Sequence, residues 1–148
     1  MRGLFCLAVV LSLCAGCSTF EREWRRVSRQ TGWTNEIAGR WTGEWRSETN
    51  KHHGKLRCII TPHGDEAYMA RFHANFWKIF TANYMVPLHA TNVNGEYHFS
   101  GSANLGGLGG GTYTYEGKAN AAHFHSTYNS KHDHGIFEMK RPGPKDDY

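Results

Sequence analysis

The chain has 148 residues, of which 39% are hydrophobic, 20% charged and 14% aromatic, with 17 glycines against 4 prolines. One compact domain fits this length and a second does not, and the aromatic and glycine content favours short strands with tight turns over a helical bundle. The formal charge of +4, which falls to +3 without Arg2, is too small and too scattered to argue for a nucleic-acid partner.

The first residues read as a leader. Arg2 gives a minimal positive start, residues 4–13 form an apolar stretch too short to span a bilayer, and Ala15 and Gly16 stand directly before Cys17. The run Leu13-Cys14-Ala15-Gly16-Cys17 resembles a bacterial lipobox, with Cys14 where a branched apolar residue is usual. That resemblance implies removal of residues 1–16 and lipidation, palmitate included, of Cys17 as a membrane anchor. With Ser18 following, it also implies a lipoprotein of the bacterial cell envelope delivered to the outer membrane. The alternative is an ordinary secretory signal peptide cut nearby. Under the lipobox reading Cys6 and Cys14 leave, Cys17 is acylated and Cys58 remains alone, so no intramolecular disulfide forms.

Residues 17–36 read as a lipidated linker with a short helix around residues 21–29, where Arg22, Arg25, Arg26 and Arg29 accompany Trp24 and Val27. This is expected either as a solvated linker or as a contact for anionic lipid head groups.

From residue 39 the period changes to two. Gly39, Trp41, Gly43 and Trp45 share one face of a first strand over 39–46, with Arg40, Thr42, Glu44 and Arg46 on the other. A second strand over 54–61 alternates Leu56, Cys58 and Ile60 on one face, which makes Cys58 a buried thiol rather than a nucleophile. A third covers 67–74, with Tyr68, Ala70 and Phe72 together. Residues 75–78 connect it to a fourth over 79–91, in which Pro87, unable to donate to a ladder, predicts a bulge or interruption. After the turn Asn92-Val93-Asn94-Gly95, strands are expected over 96–104, 112–118, 122–128 and 135–140. Eight sequential strands without a helical interval describe an antiparallel meander, which removes its edges by closing into an up-and-down barrel; two packed sheets would give the same local patterns.

Gly39-x-Trp41 on the first strand, with Arg141 just after the last, resembles the lipocalin and wider calycin families. The resemblance implies an all-β, eight-stranded antiparallel barrel over 37–141, preceded by the short helix and followed by a flexible tail over 142–148. It gives Gly39, Trp41 and Arg141 structural roles, the basic residue packing over the indole at the closed end. The inward set is Trp41, Trp45, Leu56, Cys58, Ile60, Tyr68, Phe72, Phe99, Tyr113, Tyr115, Phe124, Tyr128, Phe137 and Met139. A barrel of this size is either filled or holds one small ligand. Candidate ligand-binding residues are Trp45, Tyr68, Phe72, Phe99, Tyr113, Tyr115, Phe124 and Tyr128 inside, with Trp77 at the mouth.

In a meander alternate loops share an end, so His52, His53, Phe76, Trp77, the glycine run 105–111, His132, Asp133 and His134 should gather there. Those four histidines are candidate metal ligands, although solvated histidine-rich loops are the plainer expectation. His123 and His125 share the face opposite Phe124 and are expected at the surface. The glycine run lacks the ending of a phosphate loop, and no Gly-x-Ser-x-Gly, paired carboxylates or Cys/His nucleophile stands out, so an enzyme is disfavoured and no cofactor is expected. The reading is a lipid-anchored envelope protein that binds a small hydrophobic or aromatic molecule without transforming it. The alternatives are a filled barrel contacting an envelope protein partner and a histidine-dependent metal protein or enzyme.

Overall fold

The computed structural model describes residues 19–30, 37–76 and 80–146. Eight antiparallel strands follow one another in chain order and the eighth pairs with the first, closing an up-and-down barrel. They are β1 (Gly39–Ser47), β2 (His53–Gly64), β3 (Ala67–Phe76), β4 (Phe80–Val93), β5 (Glu96–Asn104), β6 (Thr112–Ala119), β7 (His123–Asn129) and β8 (His134–Lys140). Alternation drives the burial: along β7, Phe124, Ser126 and Tyr128 point in, while His123, His125, Thr127 and Asn129 stay exposed. Every member of the expected inward set is buried except Tyr113, which packs against the core half-buried. The sheet closes through β1 and β8, in register from Thr42↔Lys140 to Ser47↔Gly135. Gly43 permits that approach, since a Cβ there would lie 1.9 Å from the Glu138 carbonyl oxygen.

The closed end is built on Trp41. The chain enters β1 at Gly39 with φ 105°, a conformation that favours glycine. The Trp41 indole is fully buried and its Nε1–H donates to the Ile37 carbonyl at 2.9 Å. The Arg141 guanidinium lies 3.9 Å from the indole centroid and donates to the Ala38, Arg40 and Ala121 carbonyls at 2.9, 3.2 and 3.1 Å. One residue thus fixes the start of β1, the end of β8 and the turn before β7.

Three expectations need correction. The helix α1 (residues 19–28) is no solvated linker: Phe20, Trp24 and Val27, spaced four and three apart, bury against Ile59 on the outer wall of the barrel. Arg40 and Arg57 lie 4.9 and 5.2 Å from the Trp24 ring, and Glu21 and Glu23 pair with Arg57 and Arg71. Phe20 stacks on His73 at 4.8 Å, whose pKa burial lowers while its hydrogen bond to Asn83 opposes that. Arg22, Arg25, Arg26 and Arg29 remain on the exposed face. Second, β4 runs unbroken through Pro87, in register with Met69. The irregularity falls in β2, between Pro62 and Gly64, and in the ladder beside Pro87: β4 meets β5 only from Leu88↔Gly101 onward. Third, part of the expected tail folds as a 3-10 turn, Pro144–Asp146, whose Asp146 carboxylate accepts from the Gly143 N–H at 2.7 Å. Residues 1–18, including Cys17, residues 31–36, residues 77–79, including Trp77, and residues 147–148 lie outside the described residues.

Candidate functional site

The two halves of the interior differ. Toward the closed end Trp41, Phe99 and Phe124 pack with ring centroids 4.7 to 5.7 Å apart, and Tyr68 meets Tyr97 edge-on. These side chains fill the space. Tyr68, Phe99 and Phe124, expected as ligand contacts, are therefore core. Phe72 forms the floor between the halves, 5.3 Å from Tyr84 and 5.4 Å from Phe137.

Above that floor the barrel opens into a pocket of about 630 Å³, walled by Trp45, Phe76, Tyr84, Tyr113, Tyr115, Tyr128 and Phe137. The seam between β4 and β5 widens it: residues 80–87 of β4 have no β5 partner among the described residues, so Tyr84 and Met85 face the opening. Leu105, Leu108 and Gly109 of the glycine run form the opposite lip, with Leu108 fully exposed. Trp45, Tyr113, Tyr115 and Tyr128 were legible as lining residues, and Phe76 and Asp133 were expected at this end; Tyr84 was not foreseen. Tyr84 is hidden in sequence because apolar Met85 and Pro87 stand on the outer face of β4 and blur the alternation.

The polar part of the wall is organised by Asp133. Its carboxylate accepts from the Ser47 hydroxyl at 2.6 Å and the Tyr128 hydroxyl at 3.2 Å, and its backbone N–H donates to Ser130 Oγ at 3.0 Å. Ser47 is fully buried, and its hydroxyl oxygen accepts from the Asn50 N–H at 3.1 Å, so the β1–β2 and β7–β8 loops are fastened at one carboxylate. Desolvation raises the phenol pKa values of Tyr84, Tyr115 and Tyr128, with the Asp133 charge adding to the rise at Tyr128. The hydroxyls thus stay neutral.

His52, His53, His132 and His134 do share this end, but they do not converge as metal ligands. His134 is engaged by Thr49 at 3.0 Å and Glu48 at 3.8 Å, and among the described residues no group of three or more His, Cys, Asp or Glu side chains is placed to hold a metal ion. His125 lies outside the barrel against Glu138. A second depression, of about 690 Å³, runs over the outer face of β1, β2, β3 and β8, where Glu44, Lys55, Arg57, Glu138 and Lys140 interleave both signs of charge. It has no aromatic wall, which makes the open end of the barrel the stronger site.

Comparison with protein-family models, with characterised proteins and with solved structures gives no match, so the chain's own geometry carries the functional reading.

Proposed function

We propose that this protein is a lipid-anchored envelope protein whose lipocalin-like barrel holds a small, largely aromatic molecule at its open end without transforming it. The observation that carries the reading is the aromatic pocket of about 630 Å³ set over a filled lower half. Gly39, Trp41 and Arg141, arranged as glycine, indole and capping guanidinium, support the lipocalin-like assignment. The leader ending at Cys17 supports the anchor and, with Ser18, the outer membrane.

Titration with the neutral aromatic dye N-phenyl-1-naphthylamine tests the pocket. One saturable site is expected in wild type and none in Ala82→Trp, which fills the pocket from its wall; no saturable site in wild type ends the reading. The anchor is tested separately by metabolic lipid labelling of wild type and Cys17→Ala in a bacterial host. Label and membrane association should vanish in the variant, and equally soluble, unlabelled forms would remove the anchor.

A second reading, contact with an envelope protein partner, is favoured by the exposed apolar side chains Phe80, Met85 and Leu108 along the rim. The paired substitutions Met85→Glu and Leu108→Glu should abolish such a contact while leaving dye binding inside the pocket measurable.

A further inference from the structure

The pocket wall combines electron-rich rings with a carboxylate that has no ionic partner, and from this we infer that the ligand is an organic cation: an amine or quaternary ammonium bearing an aromatic or alkyl group. This rests on the binding reading above and narrows it.

Three observations converge. Tyr113, Tyr115, Tyr128 and Phe137 curve around the space, the planes of Tyr113–Tyr115, Tyr113–Tyr128 and Tyr128–Phe137 inclined by 26°, 47° and 38° at centroid distances of 6.4, 6.0 and 5.1 Å. Several inclined π-faces around one volume are the arrangement that attracts a desolvated ammonium group. The Asp133 carboxylate stands in the same wall, held by two hydroxyl donors, and makes no ion pair among the described residues. A half-buried carboxylate held only by neutral donors stabilises positive charge beside it. Finally, no Lys, Arg or His lines the pocket among the described residues. A fatty acid or other anion would meet Asp133 and the negative ring faces with nothing to neutralise it. The net positive charge of the whole chain does not reverse this, because surface charges are screened over about 10 Å while the rings and Asp133 act in contact.

The experiment compares two probes of nearly one shape. Benzyltrimethylammonium carries the charge and neopentylbenzene is its neutral isostere; each displaces N-phenyl-1-naphthylamine from wild type and Asp133→Asn in sodium phosphate buffer. Asn keeps an oxygen to accept from Ser47, and near-ultraviolet circular dichroism checks that the aromatic packing is intact. In wild type the cation should bind on the order of ten-fold more tightly than the isostere. Asp133→Asn should weaken the cation about ten-fold and the isostere less than about two-fold. Equal or stronger binding of the isostere by wild type overturns the cation class while leaving the pocket reading in place, and that comparison stands even where the variant fails to fold. Absence of dye binding overturns both.

Discussion

At the closed end of the barrel the Trp41 indole is capped, hydrogen-bonded and out of contact with water; at the open end four tyrosines surround space. Both ends are aromatic, so hydrophobicity does not distinguish them. The difference lies in what the polar atoms do. Arg141 spends its donors on three backbone carbonyls that hold the end shut, whereas Asp133 fastens two loops at the margin and leaves the middle open. The closed end is therefore expected to carry stability and the open end binding, and substitutions can separate the two.

The largest effect should come from Trp41→Ala, which removes a fully buried indole and leaves a cavity, at a cost of about 3 to 5 kcal/mol in denaturant unfolding. A cost below about 1 kcal/mol would deny the closed end its structural role. Arg141→Met keeps an apolar stem over the indole but loses the charge and its hydrogen bonds; about 2 kcal/mol is expected, with dye affinity unchanged. Altered affinity there would mean that the ends are coupled. Tyr113→Leu should do the reverse, costing under about 1 kcal/mol because Tyr113 is only half-buried, yet weakening dye binding several-fold.

The smallest expected effect concerns the outer wall, which belongs to neither end. His73 has its pKa lowered from 6.5 by burial under α1, so the contribution of its neutral form is complete above that value and declines as pH falls toward the lowered one. The Arg57 hydrogen bond lowers Glu21 from 4.5, so its contribution is present above 4.5 and is lost as pH falls through the depressed value. Both act in one direction. Between pH 7 and 4, hydrogen exchange corrected for intrinsic rates should show α1 losing protection before β1; equal loss in both would mean the helix and barrel open as one unit.

The strands and the inward set were legible because a side chain on a strand can face only two ways, and one polar face with one apolar face forces the choice. Trp41 and Arg141 were legible through a short resemblance. The docked helix was harder to see, although two signals were available: Phe20, Trp24 and Val27 make a helical stripe, and the consecutive Cys58, Ile59 and Ile60, all buried, mark a strand covered on both faces. The pocket itself was not legible. Alternation says which way a side chain points, but not whether the side chains from eight strands meet, and Met85 and Pro87 obscured the phase that places Tyr84. Nor does spacing reveal that Ser47 and Asp133, 86 residues apart, share a hydrogen bond.

The closure of β1 on β8 also sets the order of events in folding. Thr42 finds its partner Lys140 only when the last strand exists, and Arg141, the cap of the first tryptophan, comes one residue later. Until then β1 presents a row of unpaired backbone groups along one edge, and hairpins formed earlier have no closed wall to lock them. Folding should therefore be slow for a chain this short, finishing in a single late step on the millisecond-to-second scale of sheet proteins rich in distant pairings. A ribosome-bound chain lacking β8 should accordingly remain protease-sensitive along its whole length, and gain resistance all at once.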